Sequence, residues 1–585
     1  TGVWKPKRYS GSYGTNGFYL KGRGTDNSGN GNNFTENNID TSSGDASYDL
    51  MSDVPTLTDE DTSNYCTLNP LAGTKNTISD ANLKYSGSTG GDYQRRGTLG
   101  ASSGKFYFEV KVTSYSGDFY IGISETSNTN YDGVSVGNTS NQYSVYSSSG
   151  GTYCSKVSSG FTTTDLPKAV NGDIVQIAMD LDNNKFWFGI NNTWADSGNP
   201  STGANSLFTV ADGTYTPAMT LSGAGVSTTL EANFGQRPFS YTPPTGYKKL
   251  NSFNLPDSAI EDGSEYFNTV LYTGDGGNTR DIDGLSFAPD FVWIKGRNNS
   301  IYSHALNNSV VGGNAFLQSN IAGAEKVNSI HGYLSAFNSD GFELTKGSSS
   351  AGNVNSGSYN YVAWNWKAGG TAVLNEEGTI DSQVSANTTA GFSVVNYTGN
   401  TTAGATVGHG LGVAPDVIIF KNRDITSDWH MYHSARANAN NTLMYLNTTS
   451  AGGGSAGFLN NTNPSSTVIT LGTSAGTNGS STDCMIAYCF ANVEGYSKFG
   501  SYTGNGSADG PFIYTGFRPA FVIIKSATES RNWIQYDTAV NTYNQANTNI
   551  FPNLTNAEYT SATYAGFDIL SNGFKLRNND TSGNN

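Results

Sequence analysis

YTGDGGNTRDIDGLSFAPDFVWIK (272–295), YTGNTTAGATVGHGLGVAPDVIIFK (397–421) and YTGNGSADGPFIYTGFRPAFVIIK (502–525) are three versions of one phrase. From Tyr to Pro is 17, 18 and 17 residues, and from Pro to Lys is 6 in all three. The period is 125 residues and then 105, so each copy is a small domain rather than one turn of a solenoid. The runs FVWIK, VIIFK and FVIIK are apolar without alternation, which reads as strands buried on both faces. An aromatic strand is expected after each: IYSH from Ile301, WHMYH from Trp429 and WIQYD from Trp533. Repeats 1 and 3 share a hairpin, SDGFELTKG from Ser339 and SNGFKLRNN from Ser571. Repeats 1 and 2 finish on YNYVAWNWKAGG and DCMIAYCFANVEG. Repeat 3 reaches SGNN without such a strand, so its last strand is expected from outside these residues.

Working outward, the repeats occupy 256–370, 391–499 and 500–585, with 371–390 as a linker or a short strand and the third repeat truncated. Residues 1–61 read as an irregular Gly- and Asn-rich segment leaving an earlier domain, and Thr1 is expected to lie inside a longer chain. Residues 62–250 differ from the repeats. GKFYFEVKV from Gly104 alternates, with Phe106, Phe108, Val110 and Val112 on one face and Tyr107, Glu109 and Lys111 on the other, a half-buried antiparallel strand. GDIVQIAMDLDNNKFWFGINN from Gly172 is a hairpin turning at Asp182, Asn183 and Asn184. Short strands with regular turn signals predict an all-β chain of serial β-sandwich domains.

Composition agrees. Of 585 residues 71 are glycine, about 12% against a usual ~7%, and charged residues are only 14%. Apolar content of 36% is enough for packed cores. A net charge of −15 argues against nucleic acid as a partner. No apolar run approaches the ~18 residues of a membrane span. Four cysteines in so long a chain are not a disulfide scaffold, and Cys484 and Cys489 are spaced to opposite faces of a strand.

GKFYFEVKV, YIGIS, GDIVQIAMDLDNNKFWF and LEANFGQRPFSYTPPTGYKKL resemble the SPRY domain, a concanavalin-like sandwich. The resemblance implies a binding module without catalytic machinery. YSGSYGTNGFYL, NYCTLNPL, SDWHMYHSA and SKFGSYTGNGSADGPFIYTGFRPAFVIIK resemble large virion proteins of marine bacteriophages, of the tail-fibre or adhesin type. That resemblance implies a virion component, extracellular in location. It implies partners among other virion proteins and a host cell-surface glycan or protein, and a homo-oligomer, a trimer by analogy with fibres.

Local chemistry is sparse. Asp26, Ser28 and Asn30, with Gly31 following, imitate the start of a calcium loop, but Asn37 stands where the bidentate Glu belongs. A Gly–Asn turn is the preferred reading, and no cofactor or metal is expected. His430 and His433 are three apart on a strand and do not converge. Asp180 and Asp182 flank the hairpin and read as turn formers. With no local catalytic motif, the expected function is binding and structure rather than hydrolysis of a surface polysaccharide. The recognition candidates are the Asn-, Ser- and Tyr-rich loops of 127–160.

Overall fold

The structure is a computed structural model, and it describes residues 9–20, 24–35, 37–39, 53, 59–73, 75–87, 91–129, 131–150, 154–158, 161–223, 227–561 and 566–584. Of the segment expected at 1–61 to be irregular, residues 1–8, 21–23, 36, 40–52 and 54–58 lie outside them. The described residues hold strands and two short 3-10 turns but no α-helix, and no helix is long and apolar enough to cross a membrane. The chain divides into two compact units, 4–257 and 258–585.

The first unit contains a sandwich of two antiparallel sheets. One runs Thr77–Ser79, Lys84–Gly87, Thr228–Asn233, Lys105–Ser114, Ile174–Asp180, Lys185–Ile190 and Thr193–Trp194, with Phe208–Thr209 beside Lys185–Ile190. The other runs Tyr93–Arg96, Tyr215–Ser222, Asp118–Glu125, Gln142–Ser147, Cys154–Val157 and Phe161–Leu166. The alternation of GKFYFEVKV places Phe106, Phe108, Val110 and Val112 in the core, where Val175, Ile177, Met179, Phe186 and Phe188 meet them. The expectation of a half-buried strand is corrected on its other face. Tyr107 packs there with Ala178, Trp187 and Tyr247, so the chain from Phe239 onward covers it. Glu109, on that covered face, accepts from the amides of Ser240 at 2.8 Å and Tyr241 at 2.9 Å and from Tyr107 OH at 2.8 Å. A buried carboxylate needs such donors, and these remove most of the cost of burying it. Even so, loss of water pushes the Glu109 carboxyl above its ordinary value.

The second unit holds the three repeats. Repeat 1 has the sheet order Phe267–Thr273, Asn360–Trp366, Phe291–Gly296, Ala305–Asn308. Repeat 2 has the same order in Phe392–Thr398, Cys484–Phe490, Val417–Asn422, His430–His433. Repeat 3 keeps the last two places, Phe521–Ile524 and Ile534–Asp537. Its hairpin Phe567–Leu570 and Gly573–Leu576 pairs with Phe512–Tyr514 as Tyr333–Asn338 and Gly341–Thr345 pair with Thr279–Asp283 in repeat 1.

The apolar runs of repeats 1 and 2 are buried on both faces except at Ile419, that of repeat 3 is half-buried at Phe521, Val522 and Ile523, and the two faces serve different cores. Val292 and Ile294 face the core of repeat 1, Ile418 and Phe420 that of repeat 2, and Ile524 that of repeat 3. Phe291, Trp293, Val417, Ile419, Phe521 and Ile523 instead enter one core shared by all three repeats. At the sheet end, Tyr-Thr-Gly has a steric reason. A Cβ on Gly274 would stand 2.0 Å from Ser356 O, and one on Gly399 would stand 2.2 Å from Gly479 O. The preceding tyrosine ties down the same loop in each repeat: Tyr272 OH donates to Val354 O, Tyr397 OH to Thr477 O and Tyr502 OH to Gly583 O.

Two expectations need correction. IYSH is not the aromatic strand of repeat 1. That strand is Ala305–Asn308, and Ile301 is 72% exposed in the loop before it. Residues 371–390, expected as a linker or a short strand, hold two strands: Val373–Asn375 and Ser382–Asn387 extend the sheet of repeat 2 beyond Phe392–Thr398. Their polar sequence conceals them because Ser382 and Ser385 take buried positions that apolar residues usually mark.

Candidate functional site

Asp26, Ser28 and Asn30 are turned inward on their own loop. Asp26 Oδ1 accepts from the amides of Tyr19 at 2.9 Å and Ser28 at 2.8 Å, and Oδ2 accepts from Ser28 Oγ and Asn32 N. Asn30 Nδ2 donates to Gly14 O and Gly17 O. These bonds hold the Asp26 carboxyl well below the usual carboxylate range. Among the described residues no three His, Cys, Asp or Glu side chains gather as metal ligands. Asp180 is 1% exposed, accepts from Asn183 N and Nδ2, and pairs with Lys105 Nζ at 2.8 Å. Asp182 accepts from Gly104 N, so the two carboxylates serve the hairpin they flank.

The loop that begins the 127–160 segment lies over the outer face of the second sheet. Val136 is buried there with Tyr120, Val157 and Ala218. It is pinned by Val136 N to Thr220 Oγ1, Gly137 N to Gln142 Oε1, Ser144 Oγ to Val136 O and Ser135 Oγ to Asp92 Oδ2. Arg96 lies 4.6 Å from the ring centre of Tyr131 and donates to Asn128 O. Tyr131 and Tyr143 point inward, while Tyr146 is half-buried, stacks on Tyr120 at 4.6 Å and donates to Asp118 Oδ2. Among the described residues of this segment, the side chains open to solvent include Ser127, Asp132, Asn138, Ser140 and Ser149. Residues 130, 151–153, 159 and 160, also named in this candidate, lie outside the described residues.

The second unit has a more regular arrangement, which sequence reasoning missed. His304, Trp429 and Trp533 occupy one equivalent place, immediately before the fourth strand of each sheet. Trp429 Nε1 donates to Gln318 O at 2.9 Å, Trp533 Nε1 to Tyr445 O at 2.9 Å, and His304 Nε2 meets Phe551 O at 3.1 Å. Repeat 2 thus bonds to repeat 1, repeat 3 to repeat 2, and repeat 1 to repeat 3, a closed cycle. Trp293 Nε1 can only donate, and it donates to His304 Nδ1 at 2.8 Å. The proton of neutral His304 therefore sits on Nε2 and is given to Phe551 O. Burial pushes this imidazole down to about 3, so it stays neutral. Two junctions of the cycle add matched ion pairs. Arg423 grips Glu325 at 2.9 and 2.7 Å, and Arg297 reaches Glu558 at 2.7 Å. In both, the acid's amide also donates to the arginine's carbonyl. At the third junction Ala527 stands in the arginine's place, and Arg436 of repeat 2 donates to its carbonyl.

The repeated lysine closes the end of each Pro-to-Lys strand. Lys295 Nζ donates to Gly296 O and Asn299 O, Lys421 Nζ to Asn422 O and Ile425 O, and Lys525 Nζ to Ser526 O and Glu529 O. Among the described residues no carboxylate bonds any of the three, and burial lowers each from 10.5 to about 8. Their invariant spacing from the proline is thus the mark of a loop held by one cation. His430 and His433 face different ways, as their spacing predicts. His430 contacts Phe458 of the repeat core and meets Asp428 O and Ser474 Oγ, whereas His433 Nδ1 accepts from Ala435 N.

Residues 105–237 match the SPRY domain, and residues 262–585 match a domain of unknown function, DUF7483. No curated protein matches the chain. Among solved structures, the SPRY domain of human HERC1 is similar at 12% identity and a TM-score of 0.24, over 28% of this chain and 96% of that one. The PSpry domain of TRIM65 is similar at 13% identity and a TM-score of 0.23, over 29% and 92%. Stonustoxin is similar at 16% identity and a TM-score of 0.22, over 29% of this chain and 27% of its own. With more than half of its length matched by one family, the chain belongs to the DUF7483 family and carries a SPRY domain ahead of the family's region.

Proposed function

We propose that this chain is a structural and binding protein of a phage particle, a tail fibre or appendage that attaches the particle to its host. The SPRY domain is the displayed module, and its ligand is a host cell-surface glycan or protein. The repeat unit is the stiff support that other virion proteins hold. The chain acts outside the cell, on the virion, as a homo-oligomer, and it performs no hydrolysis. The observation that carries this reading is the cycle of three repeats around one core, in a chain that also carries a separate SPRY sandwich. Low charge with many Tyr, Asn, Ser and Gly residues supports it, since such surfaces recognise ligands by hydrogen bonding and ring contact.

An antibody against the chain, imaged on particles by electron microscopy, is expected to label an exposed appendage. Purified full chain is expected to bind host cells and to compete with particle adsorption. Label on a capsid face together with no host binding would instead favour a purely structural decoration. New reducing ends from host glycans, lost on one Asp or Glu substitution, would instead establish a depolymerase.

A further inference from the structure

The first strands of repeats 1 and 2 are counterparts, Phe267–Thr273 (FNTVLYT) and Phe392–Thr398 (FSVVNYT), and each pairs with the final strand of its own repeat. Their other sides differ. In repeat 2, Ser382–Asn387 lies along Phe392–Thr398, with Ser382 opposite Tyr397, Val384 opposite Val395 and Ala386 opposite Ser393. In repeat 1, Phe267–Thr273 is the last strand of its sheet. Lys367 N donates to Tyr266 O and Gly274 N to Tyr359 O, so the even-numbered residues bond the neighbouring strand. Phe267, Thr269, Leu271 and Thr273 therefore direct their backbone groups outward. Asn268 Oδ1 takes Thr269 N, and Arg280 takes Thr273 O. The amides and carbonyls of Phe267 and Leu271 and the carbonyl of Thr269 have no hydrogen-bond partner among the described residues.

A second open edge belongs to repeat 2. Val373–Asn375 ends that sheet. Ala491 N donates to Gly391 O, and the alternation it sets runs across the sheet. Val373 and Asn375 bond Val384 and Ser382, while Leu374 directs its amide and carbonyl outward, again with no partner among the described residues. Val373 is 63% exposed and Leu374 56%. Open apolar edges are normally charged or covered.

We propose that these two edges pair between copies of this chain, Val373–Asn375 of one copy adding antiparallel to Phe267–Thr273 of the next. Repeat 2 supplies the register. Residues 371–375, TAVLN, fit where 382–386, SQVSA, lie along the counterpart strand. Val373 then takes the place of Val384, opposite Val270, and Thr371 that of Ser382, opposite Tyr272, on the side that faces the core of repeat 1. Leu374 falls opposite Thr269 and Ala372 opposite Leu271, so the outward groups of both edges meet in hydrogen-bonded pairs. The exposed Glu377 arrives opposite Tyr266, where Lys367 Nζ lies 5.3 Å from the ring centre. Sliding by two residues either way sets a polar residue, Asn375 or Thr371, against Val270. The two edges are different strands, so the contact is head to tail and each copy keeps one edge of each kind for further copies. This gives the homo-oligomer proposed above its interface, and it rests on that part of the reading.

The test uses the full chain with Cys154→Ser and Cys484→Ser as background. Val270→Cys in one preparation and Val373→Cys in another are expected to form an intermolecular disulfide when mixed under mild oxidation. Directly opposed residues at a non-hydrogen-bonded site stand about 4.5 Å apart between Cα atoms, within disulfide reach. Either preparation alone, or Leu374→Cys in place of Val373→Cys, is expected to give much less. Leu374→Pro removes the outward amide of an edge strand, a place where proline leaves a sheet intact. Sedimentation of this variant should show association weakened about tenfold, the effect of one lost hydrogen bond, with an unchanged melt. Equal cross-linking by Val373→Cys alone would mean that like edges pair, and would overturn the proposal. So would an oligomer that Leu374→Pro leaves intact, and in both cases the homo-oligomer itself would stand. A chain that stays monomeric at every concentration would overturn the homo-oligomer as well.

Discussion

The sandwich and the repeat unit both bury strands on two faces, and they differ in where the second face finds its cover. In the sandwich, the outer side of Lys105–Ser114 is covered by the chain that follows, with Glu109 bonding the amides of Ser240 and Tyr241. In the repeat unit the second face of each Pro-to-Lys strand is covered by the other repeats, through the core that holds Phe291, Val417 and Trp533. A sandwich is complete by itself. A repeat is not, and its stability is a property of three.

The largest expected effect breaks that contrast most directly. Trp429→Ala removes a fully buried indole and its bond to Gln318 O, and is expected to cost about 3–5 kcal/mol. Hydrogen exchange should show protection falling across all of 258–585 together. Trp187→Ala, of similar size in the sandwich, should lower protection only within 62–257. Loss confined to repeat 2 would dismiss the idea of one cooperative unit. Next, Lys421→Met should cost about 1–3 kcal/mol, because the carbonyls of Asn422 and Ile425 lose their donor. Chemical denaturation of the variant measures it.

Acid and base separate the two units further. All five histidines lie between residues 304 and 433, in the repeat unit. His304 holds a value near 3 when folded and an ordinary 6.5 when unfolded, and burial also lowers His409, His430 and His433. The unfolded chain therefore binds more protons below 6.5, and the repeat unit should lose stability as pH falls from 6.5 toward 3. The three lysines act with the same sign in another window. Their folded values near 8 lie below 10.5, so stability should rise from pH 8 toward 10, before the buried tyrosines, raised by burial, reverse the trend. Thermal melts across pH 4–10 that leave both units equally sensitive would refute this assignment. The smallest effect sharpens the contrast from outside: Ile301→Ser, at a residue 72% exposed, should shift stability by no more than about 0.5 kcal/mol.

Much of this was legible in the residues. Equal Pro-to-Lys spacing announced both the strand and its terminal lysine, and the lack of alternation in FVWIK announced burial on both faces. What could not be read was the partner. An apolar face looks the same whether its cover comes from its own domain or from a sibling. The equivalence of His304 with Trp429 was hidden for a related reason. IYSH aligns by eye with WHMYH through its tyrosine, yet the strand begins after His304, and histidine replaces tryptophan by matching its N–H rather than its size. The inward turn of the Asp26 loop was equally unreadable, since the same oxygens can face a cation or neighbouring amides.

The cycle also imposes a schedule. Repeat 1 has its sheet in hand once Trp366 is made, but Trp364 Nε1 bonds to Asp537, 173 residues later. At a synthesis rate of about 5–20 residues per second, that partner arrives roughly 9–35 s afterwards. For most of this interval the aromatic face of Phe267, Trp364 and Trp366 is finished but only partly covered, by Phe490 of repeat 2 at Trp366, since Phe521, which packs on all three, has yet to be made. Nascent chains stalled between the second and third repeats should therefore be the species that chaperones hold and that aggregates collect.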